Sequence, residues 1–276
     1  MQQMTADGLV VVYSPSRLGG VRQVTESLAR GIQQCGRRVM LVRSLQGVLR
    51  ARFSHGASVA ILSLETGPCS SLFRRSVYIL HGFPVVDSYS RSRRLAVRLA
   101  ARAARLGGAK IVAVSHLTRA VHERLYGIKV DAVVFNGCSD SFNDRARRKD
   151  SNTPRKRYVA YVGRLIDGKG LRNIVHAFHG SQLPSLGYVL KVAGAGPLDE
   201  WVKGKAREWP DIEHLGEITE GGKEDLLFGA EAFVSLNDFE PMGVVFVEAL
   251  VAGCKLVAPF CGGHREFIPP GFPLAL

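Results

Sequence analysis

Residues 240–250 read Glu-Pro-Met-Gly-Val-Val-Phe-Val-Glu-Ala-Leu and place two glutamates, Glu240 and Glu248, around the start of a helix. An apolar strand pattern at 232–236 precedes the stretch, and Pro241 suits the first position of the helix that follows. At a rise of ~1.5 Å per residue, such a helix separates the two carboxylates by roughly 10–12 Å. That is about the span from the sugar ring of a nucleoside diphosphate sugar to its ribose, and carboxylates accept hydrogen bonds from the hydroxyls of both rings. The alternative is a capping glutamate followed by a surface glutamate without a ligand.

The same strand-then-helix pattern repeats on both sides of this stretch. Apolar strands are predicted at 9–13, 39–42, 59–62, 77–80, 111–114, 132–135, 158–162, 188–193, 212–215, 232–236 and 256–259. Strands that alternate with helices favour a parallel sheet covered on both faces. The periodicity stops between residues 139 and 157, which are polar and rich in charge. We therefore predict an α/β protein with two Rossmann-like domains, 1–138 and 158–276, joined by a linker at 139–157.

The composition is that of a globular protein, with 46% hydrophobic and 22% charged residues. No apolar run approaches the roughly 18 residues that span a membrane, and no secretory signal is evident, so a cytoplasmic location is expected. The five cysteines are scattered, which favours reduced thiols over disulfides or zinc. The net charge is +14 for residues 1–138, +4 for 139–157 and −5 for 158–276. This asymmetry indicates an anionic partner of the first domain.

The loop that follows the strand at 158–162 combines two cations with three glycines. Arg164 and Lys169 lie just beyond this strand. The carboxyl ends of parallel strands border the crevice in which doubly wound sheets bind ligands. A guanidinium fork and an ammonium group suit a pyrophosphate. The alternative is an ordinary solvated basic loop.

Two further patterns argue against a cofactor or a metal. Gly194-x-Gly196-Pro197 follows a strand, but it lacks the third glycine of a dinucleotide fingerprint, so NAD is not expected and a tight turn is the simpler interpretation. His176 and His179 are three residues apart on a predicted helix without a third metal ligand in view. The sequence therefore predicts neither a cofactor nor a metal site.

The chain resembles the donor-binding half of the family 4 retaining glycosyltransferases, also called glycosyl transferases group 1, in four segments: 163–170 (Gly-Arg-Leu-Ile-Asp-Gly-Lys-Gly), 192–197 (Val-Ala-Gly-Ala-Gly-Pro), 240–250 and 262–266 (Gly-Gly-His-Arg-Glu). This family has the GT-B architecture, in which two Rossmann-like domains face each other across a central cleft. The resemblance implies transfer of a sugar from a nucleoside diphosphate sugar to an acceptor, with retention of configuration and assistance by the departing phosphate. The chain has no Asp-x-Asp, the motif type with which GT-A transferases hold a metal. Cationic side chains and helix amides are therefore expected to compensate the charge.

The resemblance also assigns roles to single residues. Arg164 and Lys169 would hold the pyrophosphate as the leaving group, and Glu240 and Glu248 would contact the transferred sugar and the ribose. The predicted catalytic residues are His81, Arg164, Lys169 and Glu240. The predicted donor-binding residues are Gly19, Gly20, Gly163, Arg164, Lys169, Gly194, Glu217, Ile218, Glu240, Met242, Gly243, Val244 and Glu248. A structural role is the alternative for His81, and an ordinary turn is the alternative for Gly19 and Gly20.

Residues 91–106 have the pattern of a basic amphipathic helix. Its arginines recur at steps of three and four residues: Arg91, Arg94, Arg98, Arg102 and Arg105. Leu95, Leu99 and Leu106 are predicted on the inner face, together with several alanines. The helix has two interpretations, contact with the anionic inner face of a membrane or a solvated domain surface. Aromatic residues scarcely interleave with the arginines, so no nucleic-acid partner is expected.

The favoured function is sugar transfer to a sugar or lipid-linked acceptor in cell-envelope glycan or glycolipid synthesis. Relatives usually continue past the position of Leu276 with a strand and a closing helix, so the second domain is expected to lack this segment. Two alternatives remain, a catalytically impaired sugar-nucleotide-binding protein and a nucleotide-sugar epimerase of related architecture. The spacing of Glu240 and Glu248 favours transfer over epimerisation.

Overall fold

In a computed structural model, the chain forms two compact units, Met1–Gly137 and Cys138–Leu276. The structure describes residues 8–15, 19–83, 91–148, 154–268 and 274–275. Within these residues each unit contains one six-stranded sheet, and all strand pairs are parallel. The predicted α/β fold class is therefore confirmed. The first unit ends one residue before the predicted end of the first domain.

The sheet of the first unit has the strand order β2-β1-β3-β4-β5-β6. Its strands are β1 (Val10–Tyr13), β2 (Val39–Val42), β3 (Val59–Ser63), β4 (Arg75–Leu80), β5 (Lys110–Ala113) and β6 (Ala132–Val133). The described helices are α1 (Gly20–Gln34), α2 (Leu45–Phe53), α3 (Arg91–Leu106) and α4 (His116–Tyr126), with a 3-10 helix at Leu64–Leu72. All four residues of β1 are buried, as expected for a strand in the middle of a sheet that helices cover on both faces.

The sheet of the second unit has the strand order β12-β11-β10-β7-β8-β9. Its strands are β7 (Lys156–Val162), β8 (Val189–Ala193), β9 (Ile212–Gly216), β10 (Ala230–Val234), β11 (Lys255–Val257) and β12 (Leu274–Ala275). The described α-helices are α5 (Asp140–Arg148), α6 (Leu171–His179), α7 (Asp199–Glu208), α8 (Glu220–Gly229) and α9 (Val244–Ala252). Short 3-10 helices lie at Asp167–Lys169, Pro184–Leu186 and Gly263–Glu266.

The prediction of a linker at 139–157 is wrong over α5, which packs in the second unit. Phe142 is fully buried, and its ring centroid lies 5.7 Å from that of Phe228. Arg145 forms an ion pair with Asp225 at 2.6 Å. A single buried aromatic residue anchors this helix while its charged residues face outward, which is why its composition resembles a linker. Residues 149–153 lie outside the described part of the chain.

The predicted inner face of α3 is also wrong. Leu95, Leu99 and Leu106 are exposed, whereas Ala101 and Ala104 are fully buried. The small face of α3 packs against the 3-10 helix at Leu64–Leu72 so closely that a Cβ on Gly67 would lie 2.1 Å from the carbonyl oxygen of Ala100. This approach leaves room only for alanine between the two segments, so the leucines lie on the outer side.

Candidate functional site

Three loops of the second unit meet at one edge of its sheet. β10, β7 and β8 are neighbours in the strand order, and the loops in question follow their carboxyl ends at 235–243, 163–170 and 194–198. In parallel sheets of this type, ligands bind at the carboxyl edge. Most of the predicted donor-binding residues lie in these loops.

The loop after β7 is anchored through its backbone while its first cation faces outward. The Tyr161 hydroxyl donates to the carbonyl oxygen of Arg164 at 2.9 Å, and the Leu165 amide donates to Ala195 at 3.0 Å. The Arg164 side chain is exposed, and no ion pair to it is present among the described residues. Gly170 has φ 67°, and a Cβ there would lie 2.6 Å from the Cβ of Leu236. The loop thus has a fixed path and presents a guanidinium that can meet an anion.

The glycines of the loop after β8 are explained by close packing. Gly194 and Gly196 have φ values of 143° and 156°. A Cβ on Gly194 would lie 1.8 Å from the carbonyl oxygen of Gly163, and one on Gly196 would lie 2.5 Å from that of Leu165. The two loops therefore pack backbone against backbone. This agrees with the tight-turn interpretation of the motif, and a direct ligand contact of Gly194 stays a prediction.

The structure brings two predicted catalytic residues together at Glu240. Its Oε2 accepts hydrogen bonds from Lys169 Nζ and from Asn237 Nδ2, each at 2.6 Å. The side chain of Glu240 is 14% exposed and that of Lys169 is 20% exposed, so the pair lies at the surface of the loops rather than in the core. Asn237 is buried and was missed by the sequence analysis. Its position directly after the predicted strand at 232–236 was the available signal.

The segment after Glu240 differs from the prediction in one respect. α9 begins at Val244, so Pro241 lies three residues ahead of the helix instead of at its first position. Gly243 has φ 80°, and a Cβ there would lie 2.6 Å from the Phe246 ring and 2.9 Å from Glu240 Cγ. A left-handed turn is needed here because the chain folds back tightly before the helix. The 10–12 Å separation of the carboxylates assumed helix from Pro241 and stays a prediction.

Glu248 is more deeply buried than expected for a residue that contacts a ribose. Its side chain is 1% exposed, and Oε1 accepts from Lys223 Nζ at 2.7 Å. Lys223 also pairs with Glu220 at 2.8 Å. Burial alone would lower the pKa of Lys223, but the Glu248 and Glu220 carboxylates raise it above its ordinary value. Lys223 was missed because the sequence does not show that α8 packs on α9.

The loop after β11 completes this edge of the sheet. The Gly263 amide donates to the carbonyl oxygen of Glu240 at 2.8 Å. His264 is fully buried, and its ring stacks on Phe246 with centroids 4.4 Å apart and planes inclined by 8°. Burial lowers the pKa of His264, although the Pro259 carbonyl raises it in part. The neutral ring thus serves as a packing element that joins the loop after β11 to α9.

The remaining predicted donor-binding residues have less defined surroundings. Met242 is buried and Val244 is the first residue of α9. Glu217 and Ile218 follow β9 at an edge of the second sheet, with Glu217 exposed and Ile218 packed against the core. Their role in donor binding stays a prediction.

His81, Gly19 and Gly20 belong to the first unit. His81 follows the carboxyl end of β4, and both of its ring nitrogens are enclosed without a hydrogen-bond partner in the described residues. Burial lowers the pKa of His81 to about 4, so the ring is neutral at pH 7. Gly19 has φ 143° and precedes Gly20, the first residue of α1. The space beside Gly19 is open, because a Cβ there would meet no atom within 4 Å.

No group of three or more His, Cys, Asp or Glu side chains that could hold a metal occurs in the described part of the chain. The prediction that the site needs no metal stays a prediction.

Comparisons with known proteins find a family to which the second unit is similar. Residues 143–273 match the family described as glycosyl transferases group 1. Glycogen synthase from Mycobacterium tuberculosis is 29% identical over 148 residues, which cover 52% of this chain and 35% of the relative. The chain thus matches about a third of the length of its curated relatives. The resemblance predicted from the motifs is confirmed for this part of the chain.

Solved structures share the fold of the whole chain. The catalytic domain of starch synthase IV from Arabidopsis thaliana, bound to ADP and acarbose, has a TM-score of 0.70 at 14% identity, covering 97% of this chain and 87% of that chain. Sucrose-phosphate synthase from Thermosynechococcus elongatus has a TM-score of 0.75 at 14% identity, covering 96% and 84%. WaaG, a glycosyltransferase involved in lipopolysaccharide biosynthesis, has a TM-score of 0.68 at 14% identity, covering 95% and 83%. At this identity the likeness establishes the GT-B fold class and nothing finer.

Proposed function

We propose that this chain, whose residues 143–273 match the glycosyl transferases group 1 family, transfers a sugar from a nucleoside diphosphate sugar to an acceptor with retention of configuration. The observation that carries the proposal is the cluster of Lys169, Asn237 and Glu240 at the carboxyl edge of the second sheet, with the exposed Arg164 in the same loop as Lys169. It combines cations for a pyrophosphate with a carboxylate for sugar hydroxyls.

In this proposal, Arg164 and Lys169 bind the two phosphates and stabilise the negative charge that develops on the leaving group. Lys169 pairs with Glu240, and this ion pair holds the ammonium close to the carboxylate. When the donor binds, the ammonium can bridge a phosphate oxygen and Glu240, while the carboxylate accepts from a sugar hydroxyl. Asn237 keeps Glu240 oriented through its amide hydrogen bond.

The transfer step needs no covalent intermediate on the protein. The bond between the sugar C1 and the phosphate oxygen breaks, and its electron pair stays on the departing diphosphate. The acceptor oxygen forms its bond to C1 on the same face, and its proton passes to the departing phosphate. Retention is supported here only by the family resemblance, so the configuration of the product is the measurement that tests it.

The first unit supplies two further elements of the proposal. His81 is neutral, and its ring nitrogens lack hydrogen-bond partners in the described residues, so the ring suits a ligand contact. Gly19 and Gly20 are exposed, and the open space beside Gly19 leaves room for a phosphate next to this turn. The positive charge of residues 1–138 favours an anionic or lipid-linked acceptor, as in cell-envelope glycan or glycolipid synthesis.

The test begins with a thermal-shift screen of UDP-, GDP- and ADP-sugars, because a ligand that binds only the folded state raises its stability. The nucleotide sugar that gives the largest thermal shift is then used as the donor with candidate acceptors. The anomeric configuration of the product is determined by NMR. We expect Arg164→Ala to remove the shift. Lys255→Ala is the matched control, because Lys255 begins β11 at the opposite end of the strands and pairs with Glu231.

Three outcomes separate the alternatives. A thermal shift followed by a retained product supports the transferase, and an inverted product contradicts the retaining mechanism. A shift without transfer to any acceptor favours a sugar-nucleotide-binding protein. Conversion of the donor sugar without an acceptor favours an epimerase. If no nucleoside diphosphate sugar raises the unfolding temperature of the wild-type chain, the proposed donor site is wrong.

A further inference from the structure

The outer side of α3 carries an apolar row that its packing leaves uncovered. Leu95, Leu99 and Leu106 are 53%, 54% and 88% exposed, and we call these three residues the leucine ridge. At about 100° per residue, the ridge falls within an arc of about 40° on the helix surface. Single exposed leucines are ordinary on protein surfaces, whereas a contiguous apolar row with a polar border marks an interaction surface.

The position of the ridge follows from the inner side of the helix. Ala101 and Ala104 are fully buried, and the backbone of Ala100 is close enough to Gly67 that no Cβ fits there. A rotation of α3 that buried the leucines would force large side chains into this contact. The ridge is therefore held outward by close packing on the opposite side.

Arginines line one border of the ridge. Arg102 lies about 20° and Arg91 about 40° beyond the ridge on the helix surface, and both are exposed. Further from the ridge, Arg105 forms an ion pair with Asp131 at 2.9 Å, and the guanidinium of Arg98 lies 5.9 Å from the Tyr126 ring. The predicted arginine stripe is thus partly bound to its own unit, and Arg91 and Arg102 are the cations that accompany the exposed leucines.

We infer that α3 lies in the interface of an anionic lipid bilayer, with the leucine ridge inserted among the acyl chains and Arg91 and Arg102 at the level of the headgroups. Apolar insertion beside cations is the arrangement by which helices bind membranes in the plane of the surface. The charge of +14 on residues 1–138 is complementary to anionic lipid. No helix in the described ranges is long and apolar enough to cross a membrane.

A second copy of the chain fits this surface less well. A symmetric dimer brings the same patch of both copies together. Antiparallel pairing of two ridges would then bring Arg91 and Arg102 of each copy to the same side as those of the other, and like charges in contact are destabilising. Attachment of α3 to a bilayer can be measured independently of sugar transfer.

The test uses the full chain and sedimentation with vesicles of equimolar phosphatidylglycerol and phosphatidylcholine, or of phosphatidylcholine alone. We expect retention on the anionic vesicles at low salt. A residual fraction should persist near ~1 M salt, where the Debye length is about 3 Å and charge attraction is screened. Binding that persists at high salt distinguishes insertion of the leucines from electrostatic attraction of the arginines alone.

Leu95→Ser with Leu99→Ser should lower the partition coefficient ~tenfold or more at both salt concentrations, because apolar area no longer leaves water. Leu45→Ser with Leu186→Ser is the matched control, since these leucines are 46% and 57% exposed elsewhere on the chain. We expect the control to bind as the wild type does. Thermal unfolding should show that both double variants are folded.

Three results would overturn the inference. The first is a wild-type chain that ignores anionic vesicles at low salt. The second is equal retention of the ridge variant and the wild type. The third is a wild-type dimer in analytical ultracentrifugation that the ridge variant loses, without vesicle binding by either chain, because the ridge would then be a contact between copies.

Discussion

Two of the Lys–Glu ion pairs of the second unit have nearly equal lengths but lie in very different surroundings. Lys169 and Glu240 lie 2.6 Å apart on two loops, with side chains 20% and 14% exposed. Lys223 and Glu248 lie 2.7 Å apart between α8 and α9, with side chains 10% and 1% exposed. Lys223 Nζ is also 5.7 Å from the ring centroid of Phe142. The loop pair is thus partly accessible to solvent, whereas the buried pair ties two helices together.

The largest expected effect is on stability when the buried pair is broken. Lys223→Met leaves the Glu248 charge without its cation in the interior, which costs ~3–5 kcal/mol in typical proteins. Lys169→Met breaks the more accessible pair and should cost about 1 kcal/mol or less. Urea unfolding followed by tryptophan fluorescence measures this difference in the second unit alone, because Trp201 and Trp209 are the only tryptophans in the chain. Equal losses in the two variants would remove the distinction between the pairs.

For ligand affinity, a substitution at Lys169 should have a larger effect than one at Lys223. Lys169→Ala removes a charge-assisted contact worth about 1.5–3 kcal/mol, so nucleoside diphosphate affinity should fall tenfold or more. Calorimetric titration measures this loss, and the Lys255→Ala variant should bind as the wild type does. If Lys169→Ala binds with unchanged affinity, the loop pair is a structural contact like the buried one.

A smaller effect is expected at high pH. The folded-state pKa of Lys223 is raised above its ordinary value of 10.5 by its two carboxylate partners, against the opposing effect of burial. The stability that this shift contributes is fully present below about pH 10.5 and is lost as the pH rises through the folded-state pKa. The wild type should therefore lose more stability than Lys223→Met in urea unfolding above pH 10.5. Parallel pH profiles of the two proteins would contradict the coupling of Lys223 to Glu248.

The smallest expected effect is that of metal chelation on nucleoside diphosphate affinity. Arg164 and Lys169 supply positive charge to the diphosphate, and the sequence has no Asp-x-Asp. Nucleoside diphosphate affinity should therefore be the same with and without EDTA in calorimetric titration. Loss of binding in EDTA and its return with Mg²⁺ would show that a cation shares the role assigned to these side chains.

Much of the fold could be predicted because parallel strands are buried on both faces and appear as continuous apolar runs. The eleven predicted strands correspond to β1 to β11, although β6 has only the two residues 132–133. Two errors share a physical cause. Helical periodicity separates the faces of α3 but does not show which face is buried, and the charge-rich sequence of α5 does not show that one of its residues packs in a core. The alanines of α3 and the single Phe142 of α5 form the inner faces because of what they pack against.

The site could be predicted only in part for a similar reason. Lys169 and Glu240 were recognised through local motifs, whereas the partners Asn237 and Lys223 depend on how loops and helices meet in space. The buried position of Glu248 was equally hidden, because the sequence gives its spacing from Glu240 and not the depth of its side chain. Motif spacing thus identifies candidate ligands, and tertiary packing decides their accessibility.

The assignment of α5 to the second unit decides where the chain can be divided for separate expression. A fragment that begins at Tyr158, the start of the predicted second domain, would omit Phe142 and uncover the ring of Phe228 on α8. It would also leave Lys223 and Glu248 closer to water, since Phe142 lies beside the ammonium. A fragment that begins at Cys138 retains this cover. Aggregation of the shorter fragment would thus reflect a misplaced boundary and not an inability of the unit to fold.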